Sequence, residues 1–160
     1  MKRKTLFTVI LLIATGLTLG FVFANSALSR EASTALSNFV SSLFGAHIAN
    51  TREELALADT WFTSHLIRKL AHVSEFALLA LELTVISRRF FKKIPLPFLP
   101  LSAGLLTALC DETLQIFSNR GASVTDVWVD GIGLLLGTAA GMLLLRAIPK
   151  KSQKRTGLLP

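Results

Sequence analysis

Asp111 and Glu112 stand side by side in the run ALCDETLQIF (108–117), with Gln115 one helical turn beyond Asp111, in otherwise apolar surroundings. Earlier in the chain, RKLAHVSEF (68–76) sets Arg68 and Lys69 ahead of His72 and Glu75, and later TDVWVD (125–130) spaces Asp126 and Asp130 by one turn. An imidazole among carboxylates can hold a divalent ion, or divide acid and base roles between groups of unequal proton affinity. Arg and Lys beside them suit an anion, since Arg binds phosphate as a fork and Lys as a point charge. Two adjacent carboxylates in a low dielectric do not both ionise uncompensated, so a proton, Lys69, Arg120 or a metal must balance them. The candidate catalytic residues are therefore His72, Glu75, Asp111 and Glu112. Candidate ligand-binding residues are Arg68, Lys69, Gln115, Arg120, Asp126 and Asp130. A divalent cation stays open as a cofactor, with no ligand set assigned. Cys110 is the one thiol, and the chain carries no HExxH, P-loop or nucleophilic-serine motif.

Such residues need elements to hold them. The chain has 160 residues, of which 51% are hydrophobic, and this favours a membrane protein over a soluble domain. Four segments, 5–24, 66–87, 98–118 and 127–148, reach the roughly 20 apolar residues that a bilayer crossing takes. The expected fold is all-α, a four-helix transmembrane bundle with a short interfacial amphipathic helix region between spans 1 and 2. Its parts are an N-terminal span (1–24), an outward interfacial segment (25–65), a three-span core (66–148) and a basic tail (149–160). The first span also imitates a signal peptide, with Lys2, Arg3 and Lys4 ahead of it and Val22-Phe23-Ala24 at its end. Its apolar run exceeds the usual signal length of about 7–15 residues, so a retained anchor is expected. In the interfacial segment Leu36, Phe39, Val40, Leu43 and Phe44 recur at helical spacing. Thr51 with Glu54 forms a capping-box pattern, and Trp61 with Phe62 suits headgroup depth.

Charge orients the spans. Lys2, Arg3 and Lys4, then Arg88, Arg89, Lys92 and Lys93, then Arg146, Lys150, Lys151, Lys154 and Arg155 flank them with no acid in company. Cytoplasmic flanks collect Lys and Arg, so both termini are expected in the cytoplasm of a multi-pass protein of the cell membrane. The net charge of +7 would suggest nucleic acid in a soluble chain. Here it is split among juxtamembrane flanks and points to topology and anionic lipid instead.

With that orientation, a rise of about 1.5 Å per residue puts His72, Asp111, Glu112 and Asp130 in one layer, about 10 Å or less below the outer surface. Glu75 lies roughly one turn deeper. At about 100° per residue, Lys69, His72 and Glu75 share one helical face, and Asp111, Glu112 and Gln115 another. Asp111 is expected to look toward His72 and Glu75, and Glu112 toward Arg120, Lys69 or the fourth helix. Asp126, Asp130, Gly133, Gly137 and Gly141 form a nearly straight stripe whose small residues allow close helix approach. The acids should then face protein, around a polar pocket open to the outside.

RKLAHVSEFALLAL (68–81) followed by CDETLQIFSNRGASVTDVWVDGIGLLLG (110–137) resembles the two signature blocks of the VanZ-like membrane proteins, some of which are associated with teicoplanin resistance. The resemblance carries over, by motif position, to Arg68, Lys69, His72, Glu75, Asp111, Glu112, Gln115, Arg120, Asp126 and Asp130. It departs at Phe76, where the family often has tyrosine, and at Asn119, where glycine commonly precedes the arginine. It names residues without assigning them chemistry.

Three readings of the polar layer stay open. The groups pair with one another and fix helix register only, as in a structural or accessory protein. Alternatively, Arg68, Lys69 and Arg120 ring the mouth of a pocket that binds an envelope lipid or lipid-linked wall precursor, with effects on glycopeptide susceptibility. The third reading adds a reaction, hydrolysis or transfer at a phosphoryl or acyl group. Ionisable groups within spans cost about 2.5–3.5 kcal/mol each on insertion scales and are functional by default, which favours a pocket over register alone.

Overall fold

The computed structural model describes residues 3–29, 31–33, 35, 36, 39, 40, 42, 60–118 and 123–147, with backbone alone at 3, 4 and 60–65. They form four long helices: α1 (Arg3–Ala27), α2 (Thr60–Phe90), α3 (Phe98–Phe117) and α4 (Val124–Ala147). The described residues between 31 and 42 are helical, where the interfacial helix is expected, and Ser29 Oγ accepts the Ala32 N–H at its start. Leu36 and Phe39 are exposed there. Leu43, Phe44, the Thr51–Glu54 pattern, Asn119, Arg120 and the basic tail lie outside the described residues, as do the side chains of Trp61 and Phe62.

Within α1, α2 and α4, the segments Thr5–Ala27, Leu66–Phe90 and Val124–Ala147 are long and apolar enough to cross a membrane. The 20-residue α3 is long enough, but Asp111, Glu112 and Gln115 lower its hydropathy, and all three are buried. What the bundle exposes is apolar: Ile10, Ile13 and Leu17 on α1, Leu105 and Leu106 on α3, Leu135, Leu136 and Leu143 on α4. Such a surface suits hydrocarbon and not water. Helix ends differ from the expected spans. The first helix continues through Asn25 and Ser26, the second starts at Thr60, and the fourth starts at Val124. Pro97 caps α3 and Pro100 sits in its first turn, where a missing N–H leaves no helical bond unmade.

The glycine stripe of α4 sets the main contact. A Cβ added at Gly133 would meet the Val73 carbonyl oxygen at 2.5 Å, one at Gly141 would meet Thr84 Cβ at 2.8 Å, and one at Gly137 would run into the Ala77 carbonyl. Sequence numbers rise together along this seam, so α2 and α4 run parallel, backbone against backbone. Helix α1 runs antiparallel to α2. Asn25 Nδ2 donates to Glu75 Oε1 at 3.0 Å, and seven residues away on each helix Thr18 Oγ1 donates to Glu82 Oε1 at 3.2 Å. Val22, Phe76, Leu79, Ala80, Ala108 and Leu134 fill the space between the helices, and Leu134 packs over Gly104. The core thus draws on all four helices; Glu82, Thr84, Ser87 and Thr138 are buried farther along the bundle, and His72, Asp111, Glu112, Gln115 and Asp130 collect at one end. That end holds the C-termini of α1 and α3 and the N-terminal part of α4.

Candidate functional site

At this end three helices deliver one group each. Helix α2 contributes His72, α3 Asp111 and α4 Asp130, and all three are buried, the two aspartates completely. His72 Nδ1 and Asp130 Oδ1 are 3.2 Å apart, an ion pair when the imidazole is protonated. One ligand-capable atom from each of the three lies within 4.8 Å of the others. Asp111 is held on both oxygens: Ser26 Oγ donates to Oδ1, and Gln115 Nε2 donates to Oδ2 at 2.9 Å. The Gln115 bond spans one turn of α3, as side chains four apart share a face, and the Ser26 bond ties α1 into the site. Asp130 Oδ2 is buried with no partner among the described residues.

The other sequence candidates separate from this trio. Glu112 points away from Asp111 toward the fourth helix, where its Oε2 accepts the Ser123 N–H at 2.8 Å. Ser123 is the cap of α4, its carbonyl taking the Asp126 N–H at 2.9 Å and its hydroxyl the Thr125 N–H at 3.2 Å. Glu112 therefore fixes where α4 begins. Glu75 does not face Asp111 as expected. It is half-buried and turned to Asn25 on α1, because a residue three positions from His72 is displaced by about 60° round the helix. There, with Thr18, Phe21, Ser74 and Leu78, it lines an open groove of about 410 Å³ between α1 and α2. Asp126 is half-buried in the first turn of α4. Arg68 is half-buried and Lys69 exposed, one turn before His72, and neither makes an ion pair among the described residues. Arg120 lies outside the described residues.

Several polar residues of the bundle escape sequence reasoning. Asn25 and Ser26 fall just past the expected end of the first span, and extending that helix by one turn brings both to the polar end. Ser118 Oγ donates to the Ser26 carbonyl at 2.8 Å and closes α3 onto α1. Glu82, buried in the C-terminal half of α2, is signalled only by its seven-residue spacing from Glu75. Phe76, where the family often has tyrosine, is completely buried in the apolar core with Val22, Leu79, Ala80, Ala108 and Leu134.

The contact between Glu112 and Ser123 makes a sharp expectation. Glu112→Gln retains an acceptor oxygen for the Ser123 N–H and should lose less thermal stability than Glu112→Ala. Glu112→Ala orphans the Ser123 N–H and should lose about 1–3 kcal/mol. Thermal unfolding of the detergent-purified variants reads the difference, and equal loss in both would remove the capping role.

A family model described as VanZ/LLP1 matches residues 7–146, and so takes in all four helices. No curated protein and no solved structure matches the chain.

Proposed function

The chain belongs to the VanZ/LLP1 family of membrane proteins, and from that premise we propose that its polar end is an outward-facing pocket binding the anionic headgroup of an envelope lipid or lipid-linked wall precursor. The proposal takes the bundle as four-spanning. Parallel packing of α2 and α4 supports this, because α3 must carry the chain back along the bundle between them. Its 20 residues rise about 30 Å, the thickness of a hydrocarbon core. The basic residues beside the opposite end, Arg88, Arg89, Lys92, Lys93 and Arg146, support cytoplasmic termini and an external pocket.

The observation that carries the reading is the meeting of His72, Asp111 and Asp130 beneath Arg68 and Lys69, one turn earlier on α2. A headgroup phosphate at that depth would meet cations first and the buried trio behind them. Modification of the bound lipid stays within this proposal, with His72, Glu75, Asp111 and Glu112 as its candidates. The structural reading has an observation of its own: Asp111, Glu75 and Glu112 each already accept a hydrogen bond from within the chain.

Binding of a labelled polyprenyl diphosphate to protein in nanodiscs separates the two readings. Lys69→Gln and Arg120→Gln should each weaken binding at least about tenfold, the equivalent of one charge-assisted hydrogen bond, with abundance unchanged. Abundance falling in step with binding would favour the structural reading. In a Cys110→Ala background, a cysteine at Asn50 should react with an impermeant thiol reagent in intact cells and one at Lys93 should not. Labelling at Lys93 would move the pocket to the cytoplasm.

A further inference from the structure

We propose that His72, Asp111 and Asp130 form a site for a divalent transition cation of the zinc or manganese class. Three observations carry it independently of what lipid the protein binds. The donors come from three different helices, yet one ligand atom of each lies within 4.8 Å of the others. Two donors bound to one ion at about 2.0–2.1 Å in tetrahedral geometry stand about 3.3 Å apart, and His72 Nδ1 and Asp130 Oδ1 stand 3.2 Å apart. Asp130 Oδ2, on a carboxylate with no exposed surface, is left without a partner among the described residues. A buried carboxylate oxygen with nothing to bind is expensive, and coordination is one of the few ways to satisfy it.

The surroundings of Asp111 fit the same assignment. Ser26 and Gln115 occupy one lone pair on each of its oxygens and fix the plane of the carboxylate, while a second lone pair on each stays available. Ligating carboxylates are characteristically held by such outer hydrogen bonds. Charge agrees as well. Two buried carboxylates facing a neutral imidazole are balanced by a doubly charged ion, whereas a protonated imidazole balances only one of them. The imidazole selects against magnesium and calcium, which take oxygen donors, and toward metals that accept mixed nitrogen and oxygen ligands. Three protein ligands leave a coordination position open, as catalytic sites do and closed structural sites do not. A headgroup oxygen in that position would rest on the lipid-binding proposal; the cation site does not.

The test uses the full-length protein in detergent, stripped with a chelator, desalted and titrated with Zn²⁺ and Mn²⁺, with Mg²⁺ and Ca²⁺ alongside and no lipid added. One Zn²⁺ or Mn²⁺ per chain should survive gel filtration, in wild type and in Cys110→Ala alike. Asp130→Asn and His72→Gln should each weaken binding by more than about 100-fold, beyond the 10–100-fold typical of losing an outer-shell partner. Loss of a ligand is told from loss of fold by His72→Cys in the Cys110→Ala background. A thiolate in the imidazole's place should shift preference toward Cd²⁺ at least about tenfold relative to Zn²⁺. The site is overturned by wild-type protein that retains no stoichiometric ion, by unchanged affinity in Asp130→Asn and His72→Gln, or by a His72→Cys protein whose metal preference does not move. Because no lipid enters this titration, its failure leaves the headgroup proposal standing, and failure of lipid binding leaves the cation site standing.

Discussion

Gly137→Ala should lower the thermal stability markedly and the abundance several-fold, and Gly16→Ala and Gly20→Ala should leave both intact. A helix interior ordinarily favours alanine over glycine by about 1 kcal/mol, so by propensity alone all three changes would help. The surroundings reverse this at one position. A Cβ at Gly16 or Gly20 meets nothing within 4 Å, whereas at Gly137 it meets Ala77 Cα at 2.8 Å and would run into the Ala77 carbonyl. The obstacle is backbone and cannot rotate aside, so α2 and α4 must separate. Overpacking typically costs about 1–3 kcal/mol, and with a rigid neighbour about 3 kcal/mol is expected, a large part of an ordinary domain's 5–15 kcal/mol. Separation would also draw His72 from Asp130, so cation retention should fall along with abundance. A Gly137→Ala protein that accumulates and melts like wild type would show that the α2–α4 seam is not as described.

Asp111→Ala and Asp111→Asn should behave as different kinds of variant. Alanine leaves the Ser26 hydroxyl and the Gln115 amide, both nearly without exposed surface, facing an empty space. Each orphaned group costs about 1–3 kcal/mol, so abundance should collapse. Asparagine has the same shape and retains an acceptor; its amide can donate to Ser26 once that hydroxyl turns, or to a flipped Gln115. That protein should accumulate near the wild-type level while failing to hold a cation. Matching abundance measurements for the two variants would remove the hydrogen-bond framework proposed around Asp111. Normal metal content in Asp111→Asn would remove its role as a ligand.

Much of this arrangement is legible in the chain because helices impose a period. The stripe Asp130, Gly133, Gly137, Gly141 predicts a protein-facing seam, and the structure seats those glycines against α2. Adjacent residues on a helix diverge by about 100°, so Asp111 and Glu112 must have different partners, and they do. What the period cannot tell is which neighbour stands on a given side. His72 and Glu75 fit one broad arc, yet α3 and α4 lie against one edge of it and α1 against the other, so the two residues part company. Asn25 and Ser26 are missed for a related reason. Their contribution depends on α1 lasting one turn beyond its apolar run, and that turn is stabilised by partners far away in sequence, Glu75 and Asp111. Local hydropathy carries no trace of such contacts.

The hydrogen bonds between helices also have an order in time. In each of four pairs, the acid is synthesised after its partner: Glu75 follows Asn25 by 50 residues, Glu82 follows Thr18 by 64, Asp130 follows His72 by 58 and Asp111 follows Ser26 by 85. At about 5–20 residues per second, those intervals last roughly 3–17 s. The ribosome therefore never releases one of these carboxylates ahead of the group that will receive it. Asp111 emerges when Ser26 is already in place, and Asp130 when His72 is. Ionisable groups in a membrane are costly, and that order spares these four acids a wait, whereas Glu112 precedes its partner Ser123 by 11 residues. Moving α1 to the C-terminus by circular permutation would preserve every contact in the finished bundle and yet leave Glu75, Glu82 and Asp111 waiting for the helix that now comes last.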